Sequence, residues 1–433
     1  MVDTNTVSML YGRGVLNVTV APGVEPWIIR KPVAPKLIHP RDSVNQALTQ
    51  AVGCPPLVDL ARSRDSACIV VCDITRPVPN HLFLKPVIET MVSAGIALEH
   101  ITILIATGLH RAGDSAEAAE ILGDQWVLDH VRVEWHDARD PEGLVDIGLT
   151  PTRSTPVVLN RTFMNADLKI VTGLVEPHFM AGWSGGRKVL APGVAGAMTI
   201  RTFHSARFME DPAAVQCNLI GNPLHEEQLE IAKLAGELFA INTVIDEERD
   251  LTFVNFGEVV SSHLAAVDFA AQWMCVSVPR RFSTIVTSSA GYPLDKTYYQ
   301  TVKGMVTPMD ILEPGGTIII VSECSEGLGS EAYRIAQTQM VELGPDQFLH
   351  GLLAKQLADI DEWQTEMQLK PMRVGQVQLY TTGLTHGQLA ITGVETVESI
   401  EDAIMASIAQ HDDSAVAFIP EGPYVVPQFL PQA

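Results

Sequence analysis

Positive charge is scarce in this 433-residue sequence, which has 29 lysines and arginines against 51 aspartates and glutamates and a formal net charge of −22. Such a surface repels phosphate backbones and anionic lipid, so we expect neither nucleic acid nor a membrane as a partner. Charged residues make up only 18% of the chain and apolar residues 46%. This balance excludes a disordered or coiled-coil protein.

Other common signatures are missing as well. The six cysteines, at positions 54, 68, 72, 217, 275 and 324, form no CxxC pair, so neither a disulfide framework nor a zinc ribbon is indicated. No apolar run approaches the roughly 18 residues that span a bilayer. The opening MVDTNTVSMLYGRG lacks the basic start and apolar stretch of a signal peptide. We therefore expect a cytoplasmic protein of two or three domains, at about 150 residues per domain.

Short apolar runs alternate with stretches of helical periodicity along most of the chain. The runs are ACIVVCD (67–73), ITILIATG (101–108), LKIVTGL (168–174), STIVTSS (283–289), GGTIIIVSE (315–323), VQLYTTG (377–383) and AVAFIP (415–420). Several are rich in Ile and Val on both faces, which is typical of strands covered by helices. The pattern predicts two α/β domains with mostly parallel sheets, an N-terminal domain over 1–278 and a C-terminal domain over 279–433. Residues 10–31 predict a small β-hairpin or edge pair on the first domain.

Polar side chains follow several of these runs, where open parallel sheets bind their ligands. Asp73 and Arg76 form either a surface ion pair or a fork for a carboxylate or phosphate, with Asp73 orienting the guanidinium. His110 follows small residues that leave room for a ligand. The adjacent Arg111 is expected to lower the pKa of His110 and to favour the neutral imidazole that a general base needs.

The segment GLVEPHFMAGWSGGRKVLAPGVAG (173–196) concentrates the most unusual chemistry. Gly182, Gly185 and Gly186 are expected to expose backbone N–H groups to an anion, and Arg187 and Lys188 add positive charge. The segment has neither the spacing of a P-loop nor a GxGxxG fingerprint. Lys188, beside Arg187, is a candidate covalent nucleophile.

Histidines allow a second interpretation of the same region. His110, His178 and His204 together are candidates for a three-histidine metal site, since imidazole binds Zn, Ni, Cu and Fe, and spacing does not decide between ligation and acid–base roles. The histidines interpreted as ordinary polar residues are His130, His136, His225 and His263. Farther along, Gln300 and Lys303 are three residues apart on a predicted helix and share a face.

Taken together, these blocks resemble the nickel-dependent lactate racemases and related 2-hydroxy-acid racemases and epimerases. The resemblance extends from YGRG near residue 11 to the last strand. Its blocks are DITRPVP (73–79), ATGLHR (106–111), EPHFMAGWSGGRKVLAPG (176–193), the histidine at 204, YPLDKTYYQTVK (292–303) and EWQ (362–364). It implies two α/β domains with an active-site cleft between them, and a nickel-pincer nucleotide, the nickel complex of pyridinium-3,5-bisthiocarboxylic acid mononucleotide.

The resemblance also implies a role for each matching residue. Lys188 would carry the nucleotide through a covalent thioamide link, His204 would be the protein ligand of nickel, and His110 and His178 would be the acid–base pair. The other implied cofactor-binding residues are Asp73, Arg76, Gly182, Gly185, Gly186 and Trp363. Substrate would be bound by Arg76, Gln300 and Lys303.

The implied reaction inverts C2 of a 2-hydroxy acid by hydride removal to the nucleotide and return from it, through a 2-keto acid. The implied partners are the small substrate and the proteins that synthesise the cofactor and insert nickel. Two alternatives stay open: a three-histidine hydrolase or lyase acting on a small carboxylate, and a non-catalytic sugar-acid binding protein. The substrate is open among lactate, malate, aliphatic and aromatic acids and aldonates. We expect one other than lactate because the family is broad.

Overall fold

The computed structural model describes residues 6–431, which cluster into two compact units. The first unit contains residues 33–204 and 211–272, and the second contains residues 6–32, 205–210 and 273–431. Within the described residues, no helix combines the length and apolar character needed to cross a membrane.

The strands, in chain order, are β1 (Thr6–Tyr11), β2 (Gly14–Thr19), β3 (Glu25–Ile28), β4 (Ala67–Cys72), β5 (Ile101–Ala106), β6 (Arg132–Trp135), β7 (Leu144–Leu149), β8 (Pro156–Asn160), β9 (Leu168–Leu174), β10 (Pro177–His178), β11 (Gly182–Trp183), β12 (Phe239–Ile245), β13 (Leu251–Glu258), β14 (Cys275–Val278), β15 (Phe282–Ser288), β16 (Leu312–Val321), β17 (Gln376–Tyr380), β18 (Glu395–Thr396), β19 (Ala415–Ile419) and β20 (Val426–Phe429).

The α-helices are α1 (Pro40–Thr49), α2 (Leu57–Ala61), α3 (Asn80–Ala94), α4 (Ser115–Leu122), α5 (Gln125–His130), α6 (Arg161–Asn165), α7 (Gly186–Leu190), α8 (Ala197–Phe203), α9 (Ala206–Met209), α10 (Pro223–Ala235), α11 (Val259–Met274), α12 (Tyr298–Val306), α13 (Glu331–Leu343), α14 (Pro345–Leu353), α15 (Glu362–Val374), α16 (His386–Leu389) and α17 (Ile400–His411).

The first unit is built on a six-stranded sheet in the order β13-β12-β9-β4-β5-β6. Its strands pair in parallel except β13, which forms an antiparallel hairpin with β12. Ile69 of β4 and Ile103 of β5 are fully buried and pack in one cluster with Phe83 of α3. Chain order reverses direction at β4, since β5 and β6 follow on one side and β9 and β12 on the other. This reversal is a topological switch point, where ligands bind at the carboxyl ends of the strands.

The second unit has its own six-stranded sheet in the order β18-β17-β16-β15-β19-β3, and every neighbouring pair is parallel. The hairpin of β1 and β2 packs against this sheet, because Met9 and Val18 share a buried cluster with Val286 and Ile319. The prediction that the opening segment lies on the first domain is therefore wrong. Strand β3 completes the edge of the second sheet by pairing with β19.

All seven predicted apolar runs form strands of these two sheets, as β4, β5, β9, β15, β16, β17 and β19. The predicted α/β class with mostly parallel sheets is confirmed. Strands that follow one another in the chain can pair in parallel because helices connect them. These helices cover both faces of a sheet, so the side chains on both faces are apolar.

Candidate active site

Three neighbouring strands of the first sheet end in the predicted polar residues. Asp73 follows β4, His110 follows β5, and His178 lies in β10, shortly after β9. Since β9, β4 and β5 are adjacent and parallel, their carboxyl ends lie at one edge of the sheet. The structure therefore brings the polar ends of the predicted strands together at the switch point of the first unit.

His110 is oriented by Asp73. Its Nδ1 lies 2.7 Å from Oδ2 of Asp73, whose Oδ1 accepts the hydroxyl of Thr75 at 2.5 Å. Burial by itself raises the pKa of Asp73, but the bond and charge of His110 and the bonds from Thr75 outweigh it and lower that pKa. An ionised Asp73 accepts the Nδ1 proton of the imidazole, so the lone pair of neutral His110 is on Nε2. This is the arrangement of a general base with its orienting carboxylate.

The two arginines near this pair, Arg76 and Arg111, have ion-pair partners that the sequence did not indicate. Arg76 lies 3.5 Å from Glu176, measured from Nε to Oε1, and does not form the expected pair with Asp73. Arg111 makes a two-pronged ion pair with Glu117, at 2.7 and 2.9 Å, and is mostly exposed. Its charge is therefore balanced by a carboxylate, and Asp73 rather than Arg111 is the hydrogen-bond partner of His110.

His178 is buried in the short hairpin of β10 and β11, paired with Gly182. Its Nδ1 accepts the backbone N–H groups of Met180 and Ala181, at 3.4 and 3.2 Å. A neutral His178 consequently carries its proton on Nε2. The two histidines thus present unlike atoms: a lone pair on Nε2 of His110 and an N–H on Nε2 of His178.

His204 caps the carboxyl end of α8 and is 8% exposed. Burial, followed by the charge of Lys188, lowers the pKa of His204 to about 4, although its bond to Ile200 opposes the shift. Nδ1 lies 2.9 Å from the carbonyl oxygen of Ile200 and donates its proton there. A neutral ring held in this way offers Nε2 as a ligand, as metal-binding histidines commonly do.

Lys188 lies in the five-residue helix α7, which packs against β9 and β4. Burial raises the pKa of the Cys72 thiol at the end of β4 to about 12, with Asp73 adding to the rise, whereas the charges of Arg76 and Lys188 lower it. The side chain of Lys188 is therefore within electrostatic reach of both His204 and the end of β4.

The three glycines of this region are buried and packed against protein. A Cβ at Gly182, where φ is +75°, would lie 2.1 Å from the carbonyl oxygen of Asn218. A Cβ at Gly185, where φ is +136°, would lie 2.4 Å from His263, and Gly186 donates its N–H to Asn242 at 3.2 Å. Close packing of the backbone thus requires glycine at these positions. The binding of an anion by the three glycines stays a prediction.

The second unit holds the other predicted residues on two packed helices, α12 and α15. Gln300 and Lys303 lie on α12, and Trp363 on α15 donates its indole N–H to the hydroxyl of Tyr299 at 3.3 Å. Oε1 of Gln300 is buried and accepts no hydrogen bond from any of residues 6–431. A buried amide oxygen without a donor is available to a ligand.

The three-histidine metal site is not formed. Across residues 6–431, the metal-like grouping of three side chains is Asp246, Glu248 and Asp250, and it includes no histidine. The ammonium of Lys36 bonds all three carboxylates, which accounts for their closeness without an ion. Among the described residues, His110, His178 and His204 therefore do not form such a grouping, and the geometry lends no support to a three-histidine site.

Sequence reasoning missed the environment of Arg187. Its side chain is fully buried, with Nε donating to His225 at 2.8 Å and Nη1 lying 2.8 Å from Nε2 of His263. The interpretation of these two histidines as ordinary polar residues is wrong. Positions 187, 225 and 263 follow no common periodicity in the sequence. The signal that the sequence offered was that each histidine lies in a helix with a buried face.

Two family models cover most of the chain. The lactate racemase N-terminal domain matches residues 11–216, and the lactate racemase C-terminal domain matches residues 279–426. A lactate racemase from Thermoanaerobacterium thermosaccharolyticum is 29% identical over 388 residues, or 89% of this chain and 90% of the relative. One from Lactiplantibacillus plantarum is 30% identical over 388 residues, or 88% of this chain and 89% of the relative.

Solved structures agree with these matches. The lactate racemase apoprotein from T. thermosaccharolyticum superposes with a TM-score of 0.90 at 27% identity, covering 98% of this chain and 100% of that one. A Thermotoga maritima protein gives a TM-score of 0.65 at 16% identity, over 92% of this chain and 100% of that one, and shares the fold. These matches place the chain among the racemases, a class of isomerases. More particularly, the chain belongs to the lactate racemase family.

Proposed function

We propose that this protein inverts the C2 centre of a 2-hydroxy acid with a nickel-pincer nucleotide attached covalently at Lys188. The observation that carries the proposal is the pair of histidines at one sheet edge, His110 with a lone pair on Nε2 and His178 with a proton on Nε2. Racemisation at a carbinol carbon needs a group that takes the hydroxyl proton and a group that returns it. Neutral His110 can take the hydroxyl proton on Nε2, and His178 can return a proton from Nε2 once it is an imidazolium, which it becomes by accepting a proton at Nδ1 in place of its two long bonds there.

The side chains fit such a cofactor. His204 supplies a neutral imidazole whose Nε2 is suited to nickel, and Lys188 supplies an amine within electrostatic reach of it. When bound, the nucleotide supplies a hydride acceptor. Asp73, Trp363 and the three glycines of the hairpin region remain proposed contacts of the cofactor.

We assign proton transfer and binding of the substrate carboxylate to side chains of the protein itself. His110 takes the hydroxyl proton on Nε2 while Asp73 stabilises the imidazolium that forms. For the opposite enantiomer, His178 must accept a proton, so its ring must give up the two long bonds at Nδ1 or turn over. Arg76 and Lys303 are the cations that we assign to the substrate carboxylate, against the acidic surface of the protein.

The cofactor chemistry is tested by expressing the chain with and without cofactor-synthesis and nickel-insertion proteins. Intact-mass measurement is expected to show an adduct of one mononucleotide on Lys188, and elemental analysis one nickel per chain. Lys188→Ala should abolish the adduct, and His204→Ala should keep the adduct but lose nickel. His130→Ala, an exposed histidine bonded to the carbonyl of Trp126, is the matched control.

The substrate is tested by following optical rotation over a panel of lactate, malate, longer aliphatic and aromatic acids and aldonates. We expect best activity on an acid other than lactate. His110→Ala and His178→Ala should each abolish inversion in both directions. Stoichiometric zinc without an adduct, or a loaded protein that inverts none of these acids, would refute the proposed function.

A further inference from the structure

Arg187 is an unusual cation. Its guanidinium is fully buried, yet among residues 6–431 no carboxylate forms an ion pair with it. Its partners are two imidazoles, those of His225 and His263, and two backbone carbonyls. A buried charge is costly even when paired, so an unpaired one is kept where its hydrogen bonds serve a purpose.

Both imidazoles are neutral. Burial, and then the charge of Arg187, lowers the pKa of His225 to about 3 and that of His263 well below its usual value. Since a guanidinium donates and never accepts, His225 must accept on Nδ1 and His263 on Nε2. The same Nε2 of His263 lies 2.8 Å from the carbonyl oxygen of Ser184, to which it cannot donate while it accepts from Arg187.

The carbonyls held by Arg187 belong to the hairpin that carries His178. Nη2 donates to Trp183 at 3.0 Å and lies 3.5 Å from the carbonyl oxygen of Ala181. Trp183 pairs with Pro177 in that hairpin, and the N–H of Ala181 bonds Nδ1 of His178. Arg187 thus holds peptide groups of the same hairpin, one of them directly adjacent to the peptide group whose N–H bonds the ring.

We propose that Arg187 is a positioning residue that sets the orientation and the tautomer of His178 by holding the 177–184 hairpin through its carbonyls. Because Arg187 precedes Lys188 in α7, the same side chain keeps the attachment lysine and the acid–base histidine in one arrangement. The planar fork is needed for this, since lysine offers one point of contact where arginine reaches two imidazoles and a carbonyl at once. The inference rests on the proposed function for the role of His178.

Two variants test it, Arg187→Gln and Arg187→Lys, the second of which keeps the charge and loses the fork. Arg161→Lys is the control, because Arg161 also donates to two backbone carbonyls, those of Glu142 and Leu144. The cofactor-free proteins are compared by ring ¹⁵N NMR, with His178 assigned by its loss in His178→Asn, and by hydrogen exchange.

We expect wild type and Arg161→Lys to hold His178 with its proton on Nε2, and both Arg187 variants to give a mixture of tautomers. Amide exchange of residues 177–184 should rise at least about tenfold in both, while exchange of β4 and β5 stays unchanged. In the loaded enzyme, kcat should fall at least about tenfold with KM changed less than about twofold.

An unchanged His178 tautomer with unchanged hairpin exchange would overturn the proposal. Faster exchange in all strands together would also overturn it, because Arg187 would then have a general structural role. If Arg187→Gln does not fold, Arg187→Lys and His263→Gln provide the same readouts. The NMR and hydrogen-exchange measurements need neither nickel nor substrate, so a failure of wild type to load or to racemise would refute the proposed function and leave their result separate.

Discussion

Replacing one buried carboxyl group should stabilise the protein in a pH-dependent way. Glu366 of α15 is 1% exposed, and its Oε1 has no hydrogen-bond partner among residues 6–431. Burial, with a further contribution from the charge of Glu210, raises the pKa of Glu366 from 4.5 to about 8, although Lys370 opposes the shift. At neutral pH the folded state therefore holds a proton that the unfolded state has released.

The sign follows from this difference. A carboxyl group whose folded pKa is raised loses stability as pH rises from 4.5 towards 8, at about 1.4 kcal/mol per unit. At pH 7.5 the three units above 4.5 correspond to about 4 kcal/mol. Glutamine has the same shape and no proton to lose. Glu366→Gln should thus stabilise the fold by up to about 4 kcal/mol at pH 7.5 and by less than about 1 kcal/mol at pH 4.5.

Urea denaturation at the two pH values measures this change. The control is Glu362→Gln, one turn earlier on the same helix, where the carboxylate accepts from Lys355 at 2.6 Å and from the N–H of Asp359 at 2.7 Å. That variant should be destabilised at pH 7.5 by about 1–3 kcal/mol, because it loses a charged acceptor. An equal effect of Glu366→Gln at both pH values, or a loss of stability at pH 7.5, would contradict the reasoning.

Three further outcomes are expected. Asp73→Asn should lower kcat at least about 100-fold, since the amide cannot hold the Nδ1 proton of His110 as a carboxylate does; a chiral assay of both enantiomers measures it, and near-normal turnover would argue against that pair. His204 and His225, with pKa values lowered to about 4 and about 3, stay neutral while the unfolded chain gains protons below pH 6.5. In the Glu366→Gln background, which removes the opposite contribution of that carboxyl group, stability should therefore fall as pH falls, by about 2 kcal/mol for each histidine between pH 6.5 and 4.5, and a flat urea-denaturation profile would count against it. Gly182→Ala should destabilise by more than about 2 kcal/mol, because the added Cβ meets a carbonyl oxygen at 2.1 Å and φ is +75°; wild-type stability in the same urea titration would exclude this.

The sheets were predictable because burial on both faces leaves a direct trace in the sequence. Every Ile of β5 is fully buried, and the run ITILIA is found as a strand, as predicted. The placement of the opening segment was not predictable in this way. Strand β3 has the sequence EPWI, and nothing in four residues says which sheet edge they join.

The candidate site was also predictable from the sequence only in part. The sequence indicates that polar residues follow the strands, but the pairing of Asp73 with His110 depends on the alignment of β4 and β5. A neighbour in sequence, Arg76 or Arg111, looked the more natural partner for each. Contacts between residues 37 positions apart are set by sheet register and are absent from any local pattern.

The parallel pairing of β3 with β19 has a consequence for synthesis of the chain. Glu25–Ile28 leaves the ribosome long before its partner Ala415–Phe418, because the two segments are far apart in the sequence. At about 5–20 residues per second the earlier segment waits for about 20–80 s, time in which an unpaired strand can join another nascent chain. Glu25 and Pro26 bring a charge and a missing N–H to that edge, two features that discourage such pairing. The sequence of β3 therefore disfavours pairing with another chain before β19 has been synthesised.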